Sequence, residues 1–436
     1  MDPITMAGIV VGILILLFFL GLPIALSLGV AGFIGLLSFY SPDQALTLIA
    51  RRMHDYLASF TFTAVPLFIL MGYFALHAGF TREAFNSARL WLGKAPGGLA
   101  SATVAASAMF AACAGSGLPA AAALGRVAVP EMTNAGYDKR LAAGVVAAAT
   151  PLAVLIPPSI VMIIYGVVTG ASISRLMIAG IIPGIVAVVV FMIGITLLAI
   201  SRPDLTPPLK GEFTWRSRFS SLKHLWGICI LFAGVIGSIY TGWATPTEAA
   251  AVGASGALLL ALVARRISKE NILSALTETA LLTATLFLII VMASIFTVYI
   301  VRSGAVEYVA EAVVGLDLGL FALMLLLSFI FIFLGMFLDS VSMIVIAMPI
   351  LLPILQHMDV DLVWFGVILI IWVEIAAITP PFGISVFALK SAIGDTIELW
   401  EIFAGALFFV LLWIIILLIV ITFPQLSLWL PTFMRG

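Results

Sequence analysis

The apolar segments of this chain run through the same order twice, about 220 residues apart, and each run contains a bilayer-length stretch interrupted by paired prolines. The interruptions are Ala149-Thr150-Pro151-Leu152 running on to Ile156-Pro157-Pro158-Ser159, and Ala377-Ile378-Thr379-Pro380-Pro381-Phe382-Gly383. Backbone groups freed by such a break cost several kcal/mol apiece in hydrocarbon unless protein, water or an ion satisfies them. Broken helices at matching places in two halves therefore point to a binding site near the bilayer midplane.

With 63% hydrophobic and 9% charged residues, the chain lies far from soluble domains, whose charged share is roughly 25%. Mean hydropathy is +1.27. These values predict an all-α polytopic membrane protein. The net charge of −1 gives no sign of an acidic or basic partner, and no nucleic acid is expected. Cys113 and Cys229 sit in different halves within apolar stretches and read as packing residues rather than a disulfide or metal set. The run Ile9–Leu20 lacks a basic flank and a cleavage site, so it reads as the first membrane helix rather than a signal peptide.

Spans of roughly 20 apolar residues fall near 4–21, 22–40, 60–78, 140–169 (broken) and 175–200. They recur near 222–241, 244–264, 280–301, 361–390 (broken) and 400–430. Stretches at about 92–135 and 316–358 do not fit one crossing. Each carries a small or polar break, Gly115-Ser116-Gly117 and Asp339-Ser340, and reads as a re-entrant hairpin of two half-depth helices. The repeat offset is 224 for Gly29 and Gly253, 225 for Gly79 and Gly304, 219 for Pro130 and Pro349, and 223 for Pro158 and Pro381. This divides the chain into a first repeat (1–205), a cytoplasmic linker (206–221) and a second repeat (222–436). Five crossings per repeat is an odd number, so the second copy inserts upside down.

Charge supplies an independent test. With the linker region Ser201–His224 in the cytoplasm, only Arg51, Arg52, Arg175, Arg302 and Arg435 of the 20 Lys and Arg fall outside. Both termini then lie outside, and the hairpins enter from opposite faces. Pro42–Ser59 and Ser268–Thr279 read as matching arms along the membrane surface, either bracing elements or ordinary interfacial loops.

Gly115, Ser116 and Gly117 leave helical geometry cheaply. Their carbonyls and the Ser116 hydroxyl, with Thr150 and Pro151 facing them, suit a small alkali cation; close helix packing is the competing reading. Asp339 stands between two apolar runs. An intramembrane carboxylate is functional by default, so it would complete a second cation site with Gly335, Ser340, Thr379 and Pro380, while also fitting a helix cap. Glu374 stands five residues before Thr379, in reach of the same break. Glu248, after Ala244-Thr245-Pro246-Thr247, fits either a site or the first turn of a helix. Arg126 would attract an anion or snorkel to the surface. His54, His77, His224 and His357 share no metal spacing. An intramembrane serine hydrolase using Ser116 lacks a histidine base at midplane, and a passive channel leaves the duplicated hairpins unexplained.

At these motifs the chain resembles the large membrane subunit of tripartite ATP-independent periplasmic (TRAP) transporters, in the ion transporter superfamily. The resemblance is carried by Ala114–Gly125, Pro130-Glu131-Met132, Gly136-Tyr137-Asp138 and Ile156-Pro157-Pro158-Ser159. In the second half it is carried by Ala244–Ala251, Leu334–Asp339, Pro349-Ile350-Leu351-Leu352-Pro353 and Ile378-Thr379-Pro380-Pro381. One departure is Leu118-Pro119 after the first tip, where small polar residues are expected.

The resemblance implies sodium-coupled uptake of an organic acid in a bacterial or archaeal inner membrane. It also implies an elevator-like transport domain, here about 92–170 and 316–395, moving against the remaining scaffold. Implied partners are a small four-helix membrane subunit, expected as a separate chain, and a periplasmic binding protein. Two or more sodium ions are implied cargo. The half-helices beginning near Ser159 and Phe382 would face a carboxylate or sulfonate, with Ser116, Ser159, Ser342 and Gly383 as substrate contacts and Glu374 and Arg126 as further candidates. An autonomous sodium–carboxylate symporter of the same superfamily is the alternative.

Overall fold

Asp138 and Asp361 do the same work 223 residues apart. Each caps the helix that follows, its Oδ1 accepting from Arg140 and Leu141 N–H at 2.9 and 3.1 Å, and from Val363 and Trp364 N–H at 2.7 and 3.3 Å. Such caps satisfy donors that a helix start leaves unpaired. In this computed structural model, which describes residues 3–209, 214–316 and 318–434, the same offset governs much of the chain.

The first set of helices runs Pro3–Phe19, Ile24–Leu36, the arm Pro42–Leu57, Ala64–His77 and Phe80–Leu92. It continues with a hairpin (Gly98–Ala114, Gly117–Asn134), a broken span (Lys139–Ala149, Leu152–Leu155, Ile160–Thr169) and a closing span (Ile173–Ala179, Ile181–Ser201). The second set follows the same order after the short helix Trp215–Leu222. It runs Trp226–Tyr240, Pro246–Val263, Lys269–Arg302, Ala305–Val314, a hairpin (Leu320–Gly335, Ser340–His357), a broken span (Leu362–Ile378, Ile384–Ile393) and Leu399–Thr422. Among the described residues, six helices are long and apolar enough to cross a membrane, or eight if each of two bent pairs, Lys139–Leu155 with Ile160–Thr169 and Trp215–Leu222 with Trp226–Tyr240, is one span; the expected second broken span, Leu362–Ile378 with Ile384–Ile393, is not one of these pairs.

Several sequence expectations change. The hairpin arms have 16 to 18 residues, about 24–27 Å at 1.5 Å per residue, so they are not half-depth helices. The expected span at 22–40 is a helix of only 13 residues. The arm at Ser268–Thr279 is not separate but continuous with the next span, because no Gly or Pro occurs between Ser268 and Ser303. In the first set, Pro66 stands in the opening turn of Ala64–His77, and a short 3-10 turn, Phe60–Thr63, separates arm from span. Pro130 is matched by Pro353 rather than Pro349: both are the fourteenth residue of 18-residue helices, restoring the offset to 223. Cys113 is buried, but Cys229 is exposed and is not a packing residue. Lys210 and Arg435, counted above on the inner and outer sides, lie outside the described residues.

The two sets pack reciprocally. Ile24–Leu36 lies on Lys269–Arg302, and its counterpart Pro246–Val263 lies on Ala64–His77. Likewise Gly117–Asn134 packs on Ile384–Ile393, and Ser340–His357 on Ile160–Thr169. Small residues permit these approaches: a Cβ at Gly32 would stand 2.6 Å from the Phe296 backbone nitrogen. Apolar stripes at helical spacing remain outside, including Ile185, Val189, Ile193 and Leu197 on one closing span and Leu407, Leu411, Ile415 and Leu418 on the other. On a soluble protein such stripes would be a liability; here they are the lipid-facing surface that the hydropathy requires.

Candidate functional site

Each hairpin tip is seated on the Pro–Pro break of its own half. In the first half, Gly115 takes φ +62 at the end of Gly98–Ala114, the left-handed cap that glycine adopts without penalty. Its carbonyl accepts from Ile160 N–H at 3.1 Å. A Cβ on Gly115 would lie 3.3 Å from the Pro158 oxygen, and one on Gly117 3.7 Å from the Thr150 oxygen. Alanine at Gly115 is therefore expected to lower stability by about 1–2 kcal/mol, the cost of a left-handed L-residue, and valine by more. Thermal unfolding of the purified variants checks this.

Ser116, Thr150 and Ser159 thus all flank this contact of tip and break, but their hydroxyls are not equivalent. Thr150 Oγ1 donates to Ala147 O at 3.1 Å, and Ser159 Oγ accepts from Met162 N–H at 3.4 Å. Ser116 is the residue before Gly117–Asn134, yet its side chain makes no capping bond, leaving its hydroxyl uncommitted among the described residues. The carbonyls before the break are also engaged. Ser107 Oγ donates to Ala149 O at 2.7 Å and Trp413 Nε1 to Ala148 O at 3.1 Å. Neither donor had a sequence signal, since each comes from a distant helix. Pro151 makes only a minor interruption; the bend of 46° falls at 156–159.

In the second half, a Cβ on Gly335 would meet the Ala376 side chain at 2.7 Å, and the Phe337 and Phe382 rings are 5.8 Å apart. The tip therefore covers the break at Thr379–Gly383. Asp339 occupies the position equivalent to Ser116 by the 223-residue offset, but it caps fully. Its Oδ2 accepts from Val341 and Ser342 N–H at 2.9 and 3.2 Å, and its Oδ1 accepts from Ser342 Oγ. Thr379 Oγ1 donates to Ile375 O at 2.6 Å. Gly383 adopts φ +37, and Pro380 and Phe382 beside it are exposed. The first break, by contrast, is enclosed: Pro157, Pro158 and Ser159 are buried. Both Pro–Pro bonds are cis.

Glu374 is 3% exposed and accepts no hydrogen bond from any described residue. Arg126 is exposed and stands nine residues beyond Gly117, about 13 Å along the helix, so it does not join the tip. Glu248 forms a capping box, its Oε2 accepting from Thr245 N–H at 2.8 Å, and belongs to the helix start. No group of three His, Cys, Asp or Glu side chains able to hold a metal occurs among the described residues.

A helical, multi-span chain with two tip-on-break arrangements has the construction of a membrane transporter. Residues 11–426 match the family described as "Tripartite ATP-independent periplasmic transporter, DctM component", and the chain belongs to that family. It is 34% identical to the C4-dicarboxylate TRAP transporter large permease protein DctM of Pseudomonas aeruginosa, over 94% of both chains. It is 32% identical to the sialic acid TRAP transporter large permease protein SiaM of Vibrio cholerae, over 99% of both. The isethionate TRAP transporter permease protein DctMQ of Oleidesulfovibrio alaskensis is 33% identical over 91% of this chain and 62% of its own length. The structure is also similar in fold to the YdaH transporter of Alcanivorax borkumensis, with a TM-score of 0.61 at 13% identity, over 89% of this chain and 90% of that one. Membership sets aside the hydrolase reading: this is a transport component and not an enzyme.

Proposed function

We propose that the chain is the large permease of a sodium-coupled uptake system for a small organic acid, carboxylate or sulfonate, handed over by a periplasmic binding protein. Its working partner is a small four-helix membrane subunit, and its place is the inner membrane with both termini periplasmic. The observation that carries this reading is the pair of hairpin tips on Pro–Pro breaks, one enclosed and one with exposed prolines. A site opened alternately from two sides needs two such gates. The reciprocal packing of the two helix sets supports inverted repeats, and it supports an elevator-like shift of hairpins and broken spans against the remaining helices. The relatives' names span dicarboxylate, sialic acid and isethionate, all small organic acids.

Sodium coupling is energetically apt. Each Na+ entering through about 100 mV supplies roughly 2.3 kcal/mol, and about 1.4 kcal/mol is a tenfold concentration ratio. Two cation sites, around Gly115–Gly117 with Thr150 and Pro151, and around Gly335, Asp339 and Ser340 with Thr379 and Pro380, would outweigh the import of one anion. Ser116, Ser159, Ser342 and Gly383 contact the substrate in this reading. The test is uptake into proteoliposomes holding both membrane subunits, with binding protein outside and an inward sodium gradient present or absent. Uptake that requires both is expected. Uptake without the binding protein would favour an autonomous symporter, and indifference to sodium would sink the cation sites.

A further inference from the structure

Where the arm Pro42–Leu57 meets the end of Lys269–Arg302, a cavity of about 360 Å³ is lined by Tyr40, Arg52, Tyr56, Ser294, Thr297 and Arg302, with apolar walls from Leu48, Val298 and Val301. No carboxylate lines it. Among the described residues neither arginine forms an ion pair or hydrogen bond, and neither phenol hydroxyl has a partner. Four donor groups of two kinds therefore line one space in which the only other side-chain acceptors are the hydroxyl oxygens of Ser294 and Thr297. Burial holds the Tyr56 phenol above its ordinary pKa, with Arg52 pulling the other way and the carboxylate of Asp55, which does not line the cavity, adding to the rise, so that it stays a neutral donor. Guanidinium forks and phenols in this combination suit a planar or tetrahedral oxyanion.

The position gives the site a use. Ser294 stands eight residues before Arg302, about 12 Å deeper along the helix. Thr297 Oγ1, from another lining residue, donates to Val345 O at 2.9 Å, and Val345 lies on the helix that starts at the second hairpin tip. The cavity thus lies between the end carrying Arg302, outside by the charge distribution, and the helix that starts at the second hairpin tip. We propose that it is an outer way-station that captures the carboxylate or sulfonate of a small organic anion before it reaches the hairpin; this rests on the uptake reading above. A phosphate headgroup offers the same oxyanion chemistry, so the test separates the two sources.

The reporter is a single cysteine at Val298→Cys, and independently at Val301→Cys, in the full chain bearing Cys113→Ala and Cys229→Ala, reconstituted in phosphatidylcholine nanodiscs. Its rates with a sulfonatoethyl and a trimethylammonioethyl methanethiosulfonate are compared, with monodispersity as the folding check. The sulfonate reagent, itself a small organic anion, is expected to react faster. Arg52→Gln with Arg302→Gln should lower the anion-to-cation rate ratio about tenfold or more, as expected when a focusing field is removed. Succinate or methanesulfonate should slow the sulfonate reagent in the arginine-bearing chain only. A ratio that ignores the arginines overturns the proposal. So does slowing by phosphatidylglycerol in the nanodisc while the soluble anions have no effect, which would make this a lipid headgroup site. These rates require neither sodium nor transport, so their failure is distinct from failure of the uptake experiment.

Discussion

Leucine at Gly405 is expected to leave little folded protein, whereas alanine at Gly237 should be tolerated. A Cβ on Gly405 would lie 1.8 Å from the Arg140 carbonyl oxygen and 2.5 Å from its carbon, and one on Gly144 would lie 2.2 Å from the Gly405 carbon. The helices Lys139–Ala149 and Leu399–Thr422 therefore touch backbone to backbone, with no flexible side chain to yield. Two turns along the same contact, Trp413 Nε1 donates to Ala148 O, so forcing the helices apart also strips a buried carbonyl of its partner. Overpacking of an ordinary core costs about 1–3 kcal/mol. Here even Gly405→Ala should reach the upper end, because two backbones must separate, and leucine should exceed it. A Cβ at Gly237 meets nothing within 4 Å, and alanine there gains helix propensity of about 1 kcal/mol. Gel-filtration yield and thermal unfolding of the three variants provide the measurement; a wild-type profile for Gly405→Leu would show that this contact does not exist.

What the sequence made legible follows from what generates periodicity. Runs of apolar residues between Gly, Pro and Asp boundaries located the helix pairs that meet at Gly115–Ser116 and at Asp339, the bent span at 139–169 and the closing helices, because a membrane admits few alternatives to a helix. Paired prolines and tip glycines are local signals, and in the structure Gly117 stands beside Thr150 and Gly335 beside Ala376, three residues before Thr379. Partners from distant helices were not legible. Nothing in the sequence foretells that Ser107 and Trp413 would cap the carbonyls of Ala149 and Ala148, or that Arg52 and Arg302, 250 residues apart, would line one cavity. The fusion of the second arm with its span was missed for another reason: polarity changes at Thr279, but a helix ends only where its backbone is interrupted, and no residue there interrupts it.

Asparagine at Asp339 separates the two jobs this residue can hold. As a cap, Asp339 offers Oδ2 to Val341 and Ser342 N–H and Oδ1 to the Ser342 hydroxyl, and asparagine caps a helix about as well as aspartate. As a cation ligand, it contributes a negative charge that asparagine lacks. The Asp339→Asn protein should therefore unfold at close to the wild-type temperature while the sodium concentration for half-maximal uptake rises tenfold or more, a loss of about 1.4 kcal/mol per decade. Asp339→Ala should lose both, with a stability cost of about 0.5–2 kcal/mol for the missing cap. Ser116 supplies the complementary case. Its hydroxyl caps nothing, so Ser116→Ala should leave stability unchanged and affect uptake alone. Equal sodium dependence in wild type and Asp339→Asn would reduce Asp339 to a cap. The cation chemistry of the second tip would then rest on the backbone of Gly335 and Ser340, the one arrangement in which a charge-neutral first tip and its charged counterpart work alike.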